Sequence, residues 1–273
     1  MTRYLLWIFL ATSLVSCSLE RKLAREYVRD HHSEGIMLSP AEYIYKDNLG
    51  AFIDIQKYPG RLQQDSVAFF SSQFVQHVSD SIFLTLFTNS LIEELEAFGY
   101  HVTLDQAADQ FLSSHNPSWI VQLSQMQLEE DYNPEVVYGY DDEDQEYVQE
   151  YKVNTISLNS WTEVSPINSG KGARQMLFLS GYISDDAGQY VTLEYYNGQF
   201  YLNDYRYTID LDDIYGMAIN SGKKHAELLT DYFMNDYIRR NMNSSKAVRK
   251  EMHYNRKLNK ISAGLLERFE VIP

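Results

Sequence analysis

The sequence has one cysteine, Cys17, in 273 residues. A single thiol excludes an intrachain disulfide framework and a cysteine-rich metal site. Basic residues are also scarce, because 23 lysines and arginines stand against 38 aspartates and glutamates and give a formal net charge of −15. Sequence-independent binding of nucleic acid needs clustered cations that displace counterions from phosphates, so this balance argues against a nucleic-acid partner.

Catalytic motifs are lacking as well. There is no G-x-S-x-G nucleophile elbow, and two lysine-containing glycine stretches miss the spacing of a phosphate-binding loop. Residues 169–172 (SGKG) lack the preceding glycine, and in residues 216–224 (GMAINSGKK) the last lysine stands where magnesium needs a Ser or Thr. We interpret each stretch as a turn or as the start of a helix. The sequence contains many scattered carboxylates, and two of them could form the catalytic pair of a glycosidase. A hydrolase therefore stays an alternative.

No metal or cofactor is predicted. Three residues that can bind a metal lie close together at His31, His32 and Glu34. Neither an i, i+4 histidine pair nor an H-E-x-x-H pattern is present, however. The acidic run at residues 141–146 (DDEDQE) lacks the spacing and the central glycine of a calcium loop. A solvated polar segment is the favoured interpretation of both.

What is present begins with a targeting signal. Arg3 gives a short charged start, and residues 4–15 (YLLWIFLATSLV) are almost wholly apolar and carry no charge. Twelve helical residues reach about 18 Å, which is short of the ~30 Å hydrocarbon core of a bilayer. A charged start followed by a short apolar segment predicts a secretory signal peptide over residues 1–16.

The stretch Leu14-Val15-Ser16-Cys17 resembles the lipobox of bacterial lipoproteins, in which an aliphatic residue, a tolerant position and a small residue precede the cysteine. The resemblance covers only the N-terminus. It implies that the sulfur of Cys17 receives a diacylglyceryl group, that cleavage leaves Cys17 as the first residue, and that its amine is often acylated too. The alternative is an ordinary signal peptide in which Cys17 is a free or buried thiol.

A lipid on Cys17 would make the membrane a partner of the chain. Each acyl chain contributes about 0.8 kcal/mol per buried methylene, so two or three chains form a durable anchor. In Gram-negative lipoproteins an aspartate after the cysteine often causes retention in the inner membrane. Ser18 occupies that position here, so the resemblance implies a cell-envelope location in the outer membrane, facing the periplasm.

Hydrophobic periodicity predicts helices on both sides of a sheet. A 3-4-4-3 spacing that ends before Gly99 predicts a core helix through Leu84, Phe87, Leu91, Leu95 and Phe98. The same period occurs just upstream at Val67, Phe70, Phe74 and Val78, and again after Asp212 at Ala226, Leu229, Phe233 and Tyr237.

Strand signals lie between those helices. The segment from Trp119 alternates polar and apolar residues, as strands of antiparallel sheets do. Further strands are predicted at residues 36–38, 51–55, 136–140, 151–164, 175–183, 190–196 and 200–209, with a hairpin turn at Asn197-Gly198. We therefore expect an α+β fold, with an antiparallel β meander packed against amphipathic helices before and after it.

The predicted organisation has four segments. Residues 1–16 are the signal peptide, and residues 17–34 are a lipidated tether with a short amphipathic helix marked by Leu19, Leu23 and Tyr27. Residues 35–243 form the α+β domain, and residues 244–273 form a basic C-terminal helical tail with an apolar side at Val248, Met252, Ile261 and Leu265.

The C-terminal region also contains the clearest charge feature. Between Arg239 and Lys260 eight cations stand against one acid, Glu251, and we predict that they bind anionic lipid head groups or an acidic partner: Arg239, Arg240, Lys246, Arg249, Lys250, Arg256, Lys257 and Lys260. The alternative is a surface helix whose cations pair with the acidic body.

These observations favour a lipid-anchored envelope lipoprotein with a non-enzymatic binding or accessory role in an envelope assembly or transport complex, and therefore an envelope protein partner. One alternative is a lipid-anchored hydrolase acting on glycan or peptide, which predicts a cleft with convergent carboxylates. The other is a ligand-capturing surface lipoprotein that uses tyrosines and tryptophans as stacking platforms, which fails if Trp119, Trp161 and most tyrosines are in the core.

Overall fold

The computed structural model describes residues 19–30, 34–54, 56–114, 116–140, 146–167, 174–193, 200–242, 250–264 and 268–272. The helices within these residues are α1 (residues 19–30), α2 (Arg61–Phe70), α3 (Asp80–Ala97), α4 (Ala108–Leu112) and α5 (Leu211–Asn241). The strands are β1 (Gly35–Ser39), β2 (Tyr45–Asn48), β3 (His101–Leu104), β4 (Pro117–Tyr140), β5 (Glu146–Pro166), β6 (Gln175–Ser184), β7 (Asp186–Leu193), β8 (Phe200–Tyr207), β9 (Met252–Asn255), β10 (Lys260–Ala263) and β11 (Glu270–Ile272).

The main sheet is mixed and has the order β11-β6-β5-β4-β1-β3, with β2 also paired to β4. The pairs β4–β5, β5–β6 and β6–β11 are antiparallel, whereas β1, β2 and β3 join through parallel pairing. The α+β class is therefore confirmed and β4–β5–β6 is a meander, but the sheet is not purely antiparallel. The strands β7 and β8 form a separate hairpin, as do β9 and β10.

The stripe that predicted α3 faces the core. Phe87, Leu91 and Leu95 are fully buried and pack towards α5, which covers the same side of the sheet. The two helices approach so closely that a Cβ added at Gly222 would lie 2.3 Å from the carbonyl oxygen of Phe87. A glycine at this position therefore sets the distance between α3 and α5.

Upstream of α3 the predicted period does not give one helix. The helix α2 ends at Phe70, whose side chain is exposed, and Val75–His77 form a 3-10 turn. The buried carboxylate of Glu130 on β4 accepts the backbone N–H groups of Gln73, Phe74 and Val75 at 2.7–3.0 Å. These three charge-assisted bonds hold the backbone in the turn that leads into α3.

The helix predicted after Cys17 is present over residues 19–30, but it is part of the body rather than a free tether. Ala24 and Tyr27 belong to the core. The hydroxyl of Tyr27 donates to Glu34, and the hydroxyl of Tyr237 on α5 donates to Glu26 at 2.9 Å. The start of the described chain is thus tied to the last long helix.

The prediction of a helical tail over residues 244–273 is wrong for the described part of that segment, which forms β9, β10 and β11. Side chains on α5 hold this segment in an extended form. The amide of Asn235 donates to the carbonyl of Met252 and accepts its N–H, both at 2.8 Å, and Asp231 accepts the N–H of Tyr254. The strand β11 then pairs with β6.

Candidate functional site

A cleft of about 800 Å³ lies between the C-terminal half of α5 and the strand β11, and we call it the α5 cleft. Its lining combines aromatic rings, carboxylates and arginines contributed by β4, α5, Glu251 and residues 268–271. Such a combination of apolar surface with convergent polar groups is typical of binding sites.

Trp119 of β4 forms an aromatic wall of the cleft. Its ring stacks on that of Phe233 at a centroid distance of 4.4 Å, and its indole N–H donates to Glu34 at 3.1 Å. The guanidinium of Arg240 lies 5.8 Å from the indole. Because Trp119 is 6% exposed and is held on two sides, it is a fixed surface rather than an adaptable one.

Charges of both signs are paired along the walls. Asp236 accepts Arg240 at 2.7 Å and lies 3.8 Å from Arg239, while Glu251 pairs with Arg268 at 3.1 Å. Ion pairs that are this exposed contribute little to stability. A ligand that carries a positive and a negative group can therefore replace these internal ion pairs with pairs of its own at a small cost in free energy.

Asp231 is the most buried carboxylate that lines the cleft, and it pairs with His253 of β9, which is not itself a lining residue. The imidazole Nδ1 of His253 lies 2.6 Å from the carboxylate of Asp231, which is buried on α5. Burial raises the pKa of Asp231, and the hydrogen bond to Asp231 raises the pKa of His253. Among the described residues that line the cleft there is no serine, threonine or cysteine, and the one hydroxyl is the phenol of Tyr232.

The strand β11 gives the cleft a backbone rim. It is the terminal strand of the sheet and pairs with β6 on one side. Glu270 and Val271 both line the cleft, and Val271 is 52% exposed. A terminal strand presents backbone groups to which an extended peptide can add.

The predicted basic patch is split by the fold. Arg239 and Arg240 line the α5 cleft, whereas Arg256 and Lys260 line a different groove beside α1. Lys250 and Lys257 are exposed and line neither. The remaining predicted residues, Lys246, Arg249 and the lipidation site Cys17, lie outside the described residues.

The predicted stacking platforms are also divided. Trp119 is buried and Trp161 is half-buried, but Tyr43, Tyr45, Tyr132, Tyr182 and Tyr207 are exposed. The ring of Trp161 packs on Phe178 of β6, so it is engaged within the sheet. Neither tryptophan is thus a free platform, although several tyrosines are accessible.

Asp231, Asn235 and His253 were not predicted as site residues from the sequence. A signal did exist, because Asp231 and Asn235 are polar residues four apart that interrupt the apolar face of α5 near Leu228. Their partners on β9 follow from the tertiary fold alone. Within the ranges that the structure describes, no group of three or more His, Cys, Asp or Glu side chains is arranged to hold a metal ion.

Comparison with known proteins supplies no family, because no protein-family model and no curated protein matches the chain. Among the helices of the described ranges, none combines the length and the apolar character that crossing a membrane requires. A functional interpretation therefore depends on the lipobox and on the geometry of the α5 cleft.

Proposed function

We propose that the chain is a lipoprotein of the cell envelope, anchored through Cys17 in the outer membrane and facing the periplasm, that acts by binding rather than catalysis. Its α5 cleft binds an extended segment of an envelope protein. The observation that carries this proposal is the position of the terminal strand β11 on the rim of a cleft whose walls hold charges of both signs.

The path from the anchor to the body is short. Only Ser18 separates Cys17 from residue 19, where α1 begins. Because a residue spans at most about 3.6 Å, the Cα atom of a lipidated Cys17 would lie within about 7 Å of the Cα atom of residue 19. Since α1 packs into the core, such a lipid would hold the whole body close to the bilayer surface, where envelope partners are encountered.

The mode of binding follows from the chemistry of the rim and the walls. Backbone groups of a terminal strand provide affinity for any extended chain, and side-chain pockets provide specificity. The exposed side chain of Val271 offers an apolar contact. Arg240 and Arg268 can pair with acids of the incoming segment, and Glu251 can pair with a base. The expected ligand is therefore a peptide segment that carries both charges.

Site-specific photocrosslinking in the native membrane tests this function. A photoreactive residue in place of Val271 should form an adduct with one envelope protein. The double substitution Arg240→Gln and Arg268→Gln should reduce the adduct at least about fivefold, because both arginines line the cleft and a fivefold loss needs only about 1 kcal/mol of binding free energy from the two together. The matched control is Arg61→Gln with Lys223→Gln, which removes two exposed cations elsewhere.

No adduct from Val271, or an equal loss in the control, would reject binding in the cleft. The anchor is tested separately with Cys17→Ser, which should release or misprocess the protein. Unchanged retention of this variant in the membrane would reject the lipid on Cys17 without bearing on the cleft.

The hydrolase is a second candidate because Asp236, Glu251 and Glu270 all line the α5 cleft, as that hypothesis requires. Two carboxylates on opposite sides of a glycosidic bond can serve as acid and as base or nucleophile. Incubation with cell-wall glycan and peptide fragments should then yield products that Glu270→Gln abolishes. If no fragment is cleaved by the wild-type protein, this candidate is removed.

A further inference from the structure

A second cavity of about 800 Å³ lies between α1 and the β9–β10 hairpin, and we call it the basic groove. Among the described residues, its charged lining consists only of cations: Arg21, Arg25, Arg29, Arg256 and Lys260. The formal charge of the chain is −15, so five cations around one groove depart strongly from the composition of the rest of the molecule.

The helix α1 builds one wall of the groove by its periodicity. Arg21, Arg25 and Arg29 are four residues apart and therefore lie on one face. The other face places Ala24 and Tyr27 in the core, which fixes how the helix is rotated. Like charges four apart on a helix repel one another, so this arrangement costs stability unless an anion lies beside it.

Three of the five cations are available to such an anion. Arg29 pairs with Asp30, and Arg256 pairs with Glu94 at 2.7 Å while its guanidinium lies over the ring of Phe98. Arg21, Arg25 and Lys260, by contrast, have no ion pair with any acid in the described ranges. They come from opposite walls of the groove and are exposed.

The groove lies close to the proposed anchor. Arg21 is four residues from Cys17, so even a fully extended chain keeps their Cα atoms within about 14 Å. Arginine and lysine donate charge-assisted hydrogen bonds to phosphate oxygens, and cations held at a membrane surface are attracted to its anionic lipids. A phosphate-bearing head group is thus the anion that a lipid-anchored body would meet at this position.

We propose that the basic groove binds the phosphate of an anionic lipid head group in the bilayer that holds the Cys17 anchor, through Arg21, Arg25 and Lys260. This inference rests on the proposed function, because it takes the membrane as the site of action. The bound head group would fix the orientation of the body on the bilayer and so set the direction in which the α5 cleft faces.

Native mass spectrometry of the full-length lipoprotein, extracted from its membrane in neutral detergent, tests the proposal. The protein is mixed with detergent micelles that contain phosphatidylglycerol or phosphatidylcholine, with or without inorganic phosphate in the buffer, and noncovalent adducts are counted. Phosphatidylglycerol should be retained in preference to phosphatidylcholine. The triple substitution Arg21→Gln, Arg25→Gln, Lys260→Gln should weaken this retention at least about tenfold, given the attraction of each cation to anionic lipid.

The matched control removes three exposed cations outside the groove, with Lys22→Gln, Lys57→Gln and Arg61→Gln. It should retain phosphatidylglycerol as the wild type does. Equal retention of the two lipids by the wild type, or an equal loss in the control, would overturn the proposal. Displacement of phosphatidylglycerol by an equal concentration of inorganic phosphate would also overturn it, since the groove would then be a site for free phosphate.

The same spectra separate failure of the groove from failure of the anchor. The acyl groups on Cys17 are a covalent mass that persists when noncovalent lipid is stripped. An acylated protein without preference for phosphatidylglycerol rejects the groove alone, whereas a protein without the acyl mass that still prefers phosphatidylglycerol rejects the anchor alone.

Discussion

Acidification is expected to destabilise the protein through His225, a fully buried imidazole on α5. Its Nδ1 lies 2.8 Å from the carbonyl oxygen of Ser221. Because a carbonyl only accepts, Nδ1 carries the proton of the neutral ring, and Nε2 accepts the hydroxyl of Ser160 on β5 at 2.7 Å. Burial lowers the pKa of His225 from 6.5 to about 4.

The sign and the size of the effect follow from proton linkage. The unfolded chain takes up a proton at His225 below about pH 6.5, but the folded protein does so only near pH 4. The stabilisation is therefore complete above the unfolded pKa and is lost as the pH falls towards the folded one. Each pKa unit corresponds to 1.36 kcal/mol, so the full loss is roughly 3 kcal/mol and the loss between pH 7.0 and pH 5.5 is about 1 kcal/mol.

Urea unfolding of the wild type and of His225→Gln at pH 7.0 and pH 5.5 measures this contribution. Both values lie above the sequence pI of 4.8, which limits precipitation. Glutamine does not titrate, so the wild type should lose about 1 kcal/mol of its stability advantage over the variant at the lower pH. The matched control is His101→Gln, which replaces an exposed histidine, and a gap that narrows equally with this variant would contradict the role of burial at His225. If the gap between the wild type and His225→Gln does not narrow, the buried neutral imidazole is refuted.

Two further substitutions test the packing described above by the midpoint of urea unfolding. Glu130→Gln should cost about 2–3 kcal/mol, because an amide nitrogen would replace one of the carboxylate oxygens that accept three backbone N–H groups. The half-buried neighbour Glu129→Gln should cost less than about 1 kcal/mol, and equal costs would contradict the role of Glu130. Gly222→Ala should cost on the order of 3 kcal/mol, since its Cβ would overlap the backbone of α3. Gly216→Ala on the same helix meets nothing within 4 Å and should be neutral or stabilising by up to about 1 kcal/mol. A tolerated Gly222→Ala would refute the close approach.

The elements that could be predicted are those whose residues repeat with a clear period. The stripe through Phe87, Leu91 and Leu95 predicted α3 because each of its members is buried against one partner, α5. The alternation after Trp119 predicted β4 for the same reason, since one face of this strand is buried and the other is solvated.

The elements that could not be predicted depend on partners distant in sequence. The four-residue strands β9 and β10 are too short to show a period, and β9 is held extended by Asp231 and Asn235 of α5. Parallel pairing of β1 and β2 with β4 likewise leaves no local signal. The run of eight cations was visible in the sequence, but it could not indicate that the fold would place Arg239 and Arg240 in one site and Arg256 and Lys260 in another.

Only one wall of the basic groove could be predicted from the sequence. The spacing of Arg21, Arg25 and Arg29 was available as a cationic face of one helix. Their neighbours in space, Arg256 and Lys260, are more than two hundred residues away in the chain. The cations of α1 and those of the β9–β10 hairpin meet around one groove only in the folded protein.

Mass spectrometry of the N-terminal tryptic peptide from the membrane-purified protein tests whether a lipid on Cys17 holds the body at the membrane. We expect a peptide of residues 17–21 (CSLER) that begins at Cys17 and carries a diacylglyceryl group on its sulfur. An N-terminus at any other residue, or an unmodified thiol at Cys17, would contradict it.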